Sequence, residues 1–371
     1  MPLRAAPTKA LVLFLLLLAI ALLARGPAYA APLPKFLTGG DVSLLPLEEQ
    51  LGQVYKVNGK PEDALAIFKQ AGCNCMRLRL WVNPSGKGIY VNDLPYTVAL
   101  GRRIKKAGFT LILDIHYSDT WADPSHQTTP AAWQNLTFDQ LADKVRDYSR
   151  QVITAMRKGG AMPDIVAVGN EITGGMLWPD GKDYGDGRDF KNLAILLKAG
   201  IEGVDEGAAP LPASKIMIHI DRGGDWGGTK WFFDGIEAQG VPFDIIGESY
   251  YPFFQGSLSR LENTLANAAQ TYHKPIIVAE TSYPYEPAQR SWKHPALDYP
   301  QTPAGQAQFL RDLIKTVKAT PGGLGMGVIY WAPEWLPIKG MQGSWDTTTL
   351  FDDGGDALPG LAALGAGAEG R

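Results

Sequence analysis

Eight short apolar runs recur along the chain, each separated from the next by a longer stretch with helical spacing. They are "FLTGGDVS" (36–43), "CNCMRLRLW" (73–81), "TLILDIHY" (110–117), "DIVAVGNE" (164–171), "KIMIHID" (215–221), "FDIIGESYY" (243–251), "PIIVAETSY" (275–283) and "GLGMGVIYW" (323–331). Most are unbroken rather than alternating, the pattern of parallel strands covered on both faces. Between them, "PEDALAIFKQAG" (61–72) opens on Pro and two acids and stops on Gly, and "TFDQLADKVRDYSRQVITAMRKGG" (137–160) carries a Thr cap and a basic, Gly-rich end. Those are helix start and stop signals. Eight strands alternating with helices over about 300 residues predict a single α/β domain, a (β/α)8 TIM barrel. The rival is a doubly wound open sheet, but no Gly-x-Gly-x-x-Gly follows the first strand. No linker or repeat divides residues 31–371, and the Gly/Ala-rich "LAALGAGAEGR" (361–371) reads as a frayed tail.

The apolar runs end on polar residues. The second carries Arg77 and Arg79, two apart and so on one face, and the third ends on Asp114 and His116, with Trp121 close behind. The fourth stops at Asn170-Glu171, an expensive pair to bury for packing alone. His219 and Asp221 end the fifth, Glu248 to Tyr251 the sixth, Glu280 the seventh and Tyr330-Trp331 the eighth. A barrel assembles its active site at the C-terminal ends of its strands, so polar ends on nearly every strand form a functional pattern.

Composition narrows the picture. A net charge of −3 gives no electrostatic case for nucleic acid or an anionic membrane surface, and nothing points to an obligate protein partner. Arg4 and Lys9 precede the apolar "ALVLFLLLLAIALLA", and Ala28-Tyr29-Ala30 offers a small-x-small cleavage site. Residues 1–30 therefore read as a signal peptide, which predicts a secreted, periplasmic or cell-surface protein. The run also approaches the length of a membrane anchor. Cys73 and Cys75 are too close along one strand for easy disulfide geometry and lack further zinc ligands, so they read as packing residues.

Glu171 and Glu280 each terminate an otherwise apolar run. Glycoside hydrolysis needs such a pair, one carboxyl to protonate the leaving oxygen and one to attack or to activate water. Arg77 would keep one of them ionised, Asn170 would bond a sugar hydroxyl and Trp331 would stack under the ring. Two other readings compete. A Glu and an Arg also form structural ion pairs between strands. Asp114, His116 and His219 have the residue types of a strand-end metal site, which would make a metal-dependent barrel hydrolase. His126, His273 and His294 read as ordinary loop or helix-end histidines.

Several of these stretches carry a resemblance. "MRLRLWVNP" (76–84), "DIHYSDTWADPSHQTTPAAW" (114–133), "VGNEITGGMLWP" (168–179), "SYYPF" (249–253), "VAETSYP" (278–284) and "YWAPEW" (330–335) together resemble the endo-β-1,4-galactanases of glycoside hydrolase family 53. The long second motif is the specific one, since Asn-Glu alone is shared by many retaining barrel glycosidases. The resemblance implies a retaining mechanism with Glu171 as acid/base and Glu280 as nucleophile, and no cofactor. It sets Arg77 beside the nucleophile, Asn170 near the 2-hydroxyl, and β-1,4-galactan of type I arabinogalactan as the substrate. Asp114, His116, Trp121, His219, Tyr250, Tyr251 and Trp331 are the further candidate substrate contacts, and strand-end alternation leaves open which tyrosine faces the nucleophile.

One departure stands out. Some bacterial members of that family hold calcium in the loop after strand seven, where this chain reads "SYPYEPAQRSWKHPALDYPQTP". Glu286, His294 and Asp298 are spread along it without the clustered oxygen ligands that a hard cation needs, so no calcium is expected there. The alternatives within reach are another retaining barrel β-glycanase, acting on mannan or a β-glucan, and a sugar-binding barrel that has lost catalysis. Both glutamates are present, against the latter.

Overall fold

All eight predicted runs form strands: β1 (Leu37–Asp41), β2 (Cys75–Leu80), β3 (Thr110–Ile115), β4 (Ile165–Val168), β5 (Lys215–Ile220), β6 (Ile245–Ser249), β7 (Ile276–Thr281) and β8 (Gly325–Trp331). In this computed structural model, which describes residues 33–185, 189–287, 297–338 and 346–368, they pair in parallel and close into one barrel, with β1 bonded to both β8 and β2. The leader-like segment, Trp292 and His294 lie outside the described residues. Among the described residues, no helix is long and apolar enough to cross a membrane.

The helices that return the chain are α1 (Ala64–Ala71), α2 (Leu94–Lys106), α3 (Phe138–Lys158), α4 (Lys191–Ala208), α5 (Trp226–Ala238), α6 (Leu258–Tyr272), α7 (Pro303–Lys318) and α8 (Pro359–Gly365). Their starts follow local chemistry. Asp63 and Asp93 accept from the third residue of α1 and α2, and Thr137 with Gln140 forms a reciprocal capping box on α3. Such caps satisfy backbone N–H groups that have no partner inside the helix.

Strand alternation sorts side chains into two cores. Met76, Leu78 and Leu80 of β2, Leu111 and Leu113 of β3 and Ile216 and Ile218 of β5 face the helices. Leu37, Cys75, Ile112, Ile165, Met217, Ile245, Ile277 and Ile329 fill the lower barrel interior. One step or more up the same inward faces, the residues become polar: Asp41, Arg77 and Arg79, Asp114, His219 and Ser249 are all buried. The barrel is thus dry and apolar below and charged above. Cys73 and Cys75 are buried and unpaired, and burial pushes the Cys73 thiol up to about 12, in keeping with a packing role.

The C-terminal segment departs from the frayed tail expected of it. Residues 359–365 form α8, which packs on α1 and α7 with Leu361 and Leu364 buried. The glycines that suggested fraying permit close approach instead. A Cβ on Gly365 would fall 2.0 Å from the Ala71 carbonyl oxygen, so only glycine lets α8 lie against the end of α1. If α8 is part of the folded domain, Leu364→Ala should cost about 2–5 kcal/mol, the range for a buried leucine truncation. Urea unfolding of the two proteins measures this; equal midpoints would return α8 to the status of a tail.

Candidate active site

The polar strand ends meet at one mouth of the barrel, around a cleft of about 850 Å³. Glu171, Glu280, Asn170, Trp121, Tyr251 and Trp331 all line it, so six of the predicted site residues face one space. Asp221, Trp335, Tyr90, Phe254 and Gln255 share the wall.

Arg77 anchors the arrangement from below. Its guanidinium is fully buried, with Nη1 donating to Asp41 Oδ2 (2.9 Å) and Nη2 donating to Asp114 Oδ2 (2.7 Å) and Asn170 Oδ1 (2.8 Å). Nη2 also lies 2.8 Å from Glu280 Oε1, an ion contact without an aligned N–H because its two hydrogens point at Asp114 and Asn170. Burial opposes the guanidinium charge, but Asp114, Glu280 and Asp41 outweigh it and raise the pKa above the usual arginine value. Burial likewise acts against the Asp114 carboxylate, and Arg77 with His219 and His116 brings it down to about 2. Tyr251 donates to Glu280 Oε2 (2.8 Å). Glu280 therefore has a cation at one oxygen and a hydroxyl donor at the other.

Glu171 sits differently. It follows β4 by three residues, after Gly169 (φ 90°), and its own backbone is left-handed, at φ 49° and ψ 49°. A non-glycine residue held there costs about 1–3 kcal/mol and points to a site over-determined by its surroundings. Burial raises the Glu171 pKa well above the usual carboxyl range, and Glu280 and then Asp221 raise it further. The two glutamates thus occupy opposite electrostatic environments in one cleft.

The remaining predicted residues lie beneath the cleft rather than on it. Asp114 and His219 are fully buried, so neither is the direct sugar contact expected of it. They pair with each other, His219 Nδ1 to Asp114 Oδ2 at 3.3 Å, while His219 Nε2 meets Ser249 Oγ at 2.9 Å. His116 is buried too, its Nδ1 accepting from Trp81 Nε1 and from the Ala122 backbone N–H, both at 3.3 Å. Burial pushes its pKa down to about 3, so the ring is neutral with the proton on Nε2. Both nitrogens of His219 have partners and His116 Nδ1 has two donors on it, which leaves this trio poorly disposed to hold a metal. Tyr250 points outward and donates to the Gly256 carbonyl (2.6 Å); Tyr251 is the tyrosine on the nucleophile candidate. Glu248 also points outward, accepting from Thr229 Oγ1 (2.8 Å) and the Arg222 N–H (3.1 Å).

Some cleft residues escaped the sequence reading. Trp335 lies in "YWAPEW", where nothing in the pattern separates it from a packing tryptophan, and Tyr90 lies in the loop after β2, which carries no signal. Arg79 is the second surprise: one side of it reaches Asp41 Oδ1 at 3.6 Å, but its Nε and Nη2 have no hydrogen-bond acceptor. Instead the guanidinium carbon lies 4.6 Å from the Trp121 ring centre, 5.1 Å from Trp81 and 5.5 Å from Trp331. A desolvated cation over indole faces is an attractive contact. It backs the two tryptophans that line the cleft. Near the loop after β7, Glu286 and Asp298 fall among the described residues and His294 does not; among the described residues no group of three or more metal-ligating side chains forms.

The chain resembles known proteins along most of its length. The model of glycosyl hydrolase family 53 matches residues 37–364. The probable arabinogalactan endo-β-1,4-galactanase A of Aspergillus terreus is 40% identical over 339 residues, 88% of this chain and 94% of that protein. An arabinogalactan endo-β-1,4-galactanase of Thermothelomyces thermophilus is 37% identical over 88% of this chain and 98% of its own. A solved structure described as one of two fungal β-1,4-galactanases superposes with a TM-score of 0.81 at 35% identity, covering 90% of this chain and 99% of that one. With the family matched across the whole barrel and two glutamates facing one cleft, the chain belongs to glycoside hydrolase family 53 and is a glycosidase.

Proposed function

We propose that the protein is an endo-acting hydrolase of β-1,4-galactan, the backbone of type I arabinogalactan, working by a retaining double displacement. The relatives named above supply the substrate class. The observation that carries the mechanism is the contrast between the glutamates: Arg77 and Tyr251 on Glu280, burial and neighbouring carboxylates around Glu171. In this reading Glu280 attacks the anomeric carbon and forms a glycosyl-enzyme while Glu171 gives its proton to the departing oxygen. Once Glu280 is esterified its charge is gone, which removes one of the causes that keep Glu171 protonated. Glu171 then acts as base toward water. The Asn170 amide, with Oδ1 held by Arg77 and one N–H held by the Ala122 carbonyl (2.8 Å), has a second N–H for a sugar hydroxyl. Trp121 and Trp331 give the ring an apolar face. The chemistry calls for no cofactor. We also infer export, on the basic, apolar and Ala28-Tyr29-Ala30 pattern of the first thirty residues; N-terminal sequencing of the secreted protein should then begin at Ala31.

Glu171→Gln and Glu280→Gln should each lower hydrolysis of linear β-1,4-galactan by several orders of magnitude with the fold intact. Azide separates the roles. In Glu171→Ala, an aryl galactoside with a good leaving group still forms the intermediate, and azide should release the β-galactosyl azide. In Glu280→Ala the product should be the α-azide. Reversed anomers would exchange the two assignments, and a panel of galactan, mannan and β-glucan checks the substrate independently.

The electrostatic contrast makes a second prediction. Burial is the larger cause of the raised Glu171 pKa and is unchanged by Glu280→Gln, but the Glu280 charge is removed. A carboxylate neighbour raises an acid's pKa, so its loss must lower it, and the Glu171 midpoint should fall in the variant. Carbon-13 NMR titration of the Glu171 carboxyl reads this directly; a midpoint that rises contradicts the coupling.

A further inference from the structure

The two glutamates divide the rim of the barrel unequally. The strands close in the order β1-β8-β7-β6-β5-β4-β3-β2. Glu171, just past β4, and Glu280, on β7, therefore leave β5 and β6 on one side and β8, β1, β2 and β3 on the other. The cleft-lining aromatics sort accordingly. Trp331, Trp335, Tyr90 and Trp121 belong to the wide arc, where Trp121 and Trp331 meet at a ring-centre distance of 5.8 Å. On the narrow arc the cleft is lined by Asp221, Tyr251, Phe254 and Gln255. Tyr251 is buried and committed to Glu280. Phe254 is 60% exposed, the most open large apolar side chain among the described residues.

A single exposed apolar side chain is ordinary on a protein surface. This one is held in place beside the chemistry. It sits in the one-turn helix Pro252–Gln255 directly after β6, in edge-to-face contact with Phe253 (4.7 Å, 77°) and Tyr251 (6.0 Å, 71°). The next residue, Gln255, clamps the turn: its Oε1 accepts the Tyr251 N–H and its Nε2 donates to the Asp221 carbonyl at 2.8 Å. The Asp221 carboxylate in turn accepts from Thr173 Oγ1 at 2.5 Å, two residues past Glu171. The narrow arc is thus tied to the turn that carries Glu171.

We propose that Phe254 is the platform for the leaving sugar, the ring on the far side of the bond being cut. The proposal rests on the roles given above to Glu171, Glu280 and the two tryptophans. Endo cleavage needs sugars on both sides of the scissile bond. With the reacting ring on Trp121 and Trp331, the substrate passes between the two carboxyls and meets the narrow arc next. A pyranose has an apolar C–H face, and a phenyl ring offers it a flat apolar surface with no hydrogen-bond demand of its own. The same platform serves the reverse step, in which a sugar hydroxyl rather than water attacks the glycosyl-enzyme. The acceptor oxygen bonds to the anomeric carbon and the ester bond to Glu280 breaks, its electron pair returning to the carboxylate. The hydroxyl proton passes to Glu171. An acceptor seated on Phe254 has its hydroxyl where the leaving oxygen was.

The test compares two substrates that differ in what leaves. Phe254→Ala should lower kcat/KM on linear β-1,4-galactan by about tenfold, the order of one lost aromatic contact. On β-galactotriosyl fluoride, whose leaving group is a single atom, kcat/KM should be unchanged. With that fluoride as donor and galactobiose as acceptor, the ratio of transfer to hydrolysis should fall by a similar factor. Phe254→Trp should restore both quantities. Phe254→Leu, which keeps apolar bulk and removes the flat ring, decides where the alanine variant does not fold. Equal losses on the two substrates, no loss on galactan, or an unchanged transfer ratio each overturn the proposal, because a glycone contact or a packing role would weigh on the fluoride as well. A wild-type protein that cleaves neither substrate refutes the galactan reading and this proposal with it. One that cleaves both, with the variant losing both alike, refutes the role of Phe254 alone.

Discussion

The site is organised by one buried cation. Arg77 has no access to water, and its guanidinium is surrounded by Asp41, Asp114 and Glu280, with the Asn170 amide completing the set. Removing a charge from water costs several kcal/mol, and only close counter-charges with good geometry offset it. Each partner of Arg77 comes from a different strand or strand end: β1, β3, β7 and the turn after β4. Satisfying this one side chain therefore fixes the relative heights of four strands at the mouth of the barrel. It also fixes where Glu280 presents its free edge and which way the Asn170 amide faces. The same constraint propagates through Asp114 to His219 and Ser249, so the floor under both glutamates is set by a single charge and its hydrogen bonds.

That floor rests on a dry layer. The lower inward positions are apolar on every strand, so they exclude water from the underside of the charged layer. A low-dielectric base strengthens the ion pairs above it and raises the penalty for any unpaired charge there. Arg79 shows how tightly the layer is used. It is buried one inward step above Arg77, with Asp41 already engaged, and its positive charge is taken up by indole faces instead of further carboxylates. The aromatic lining of the cleft and the charged floor are in this way one packed unit.

Much of this was legible in the sequence. The eight runs, their parallel order and the collection of polar ends at one mouth follow from periodicity and a fold rule, and the two glutamates stand out because each interrupts an apolar run. What stayed hidden was depth. Asp114 and His219 sit at strand ends like the residues that line the cleft, and nothing in a linear pattern distinguishes the rim from the layer below it. Tyr250 and Tyr251 are a smaller case of the same problem. Alternation continues two residues past the end of β6, so Ser249 and Tyr251 face inward and Tyr250 joins the outer core, but a sequence does not say where a strand stops alternating. Glu248 belongs with the polar strand ends in the linear pattern for the same reason, although its parity sends it to α5.

The two glutamates themselves break the rules that revealed the barrel. On β7, Ile276 and Val278 face the helices and Ile277 and Ala279 face the interior, so strict alternation would send Glu280 outward. The register slips on both sides of that point, between Glu248 and Ser249 on β6 and between Val278 and Thr281 against β8, and the irregularity turns Glu280 into the cleft. Re-aiming a side chain in this way is a recurrent use of a bulge near an active site. Glu171 reaches the same space by another departure, a left-handed backbone just past the end of β4. Regular strands of this barrel would place neither carboxyl where the other is. The pairing depends on two local irregularities held in place by the ion pairs, hydrogen bonds and packing around them, and this is where a fold is expected to tolerate strain for the sake of chemistry.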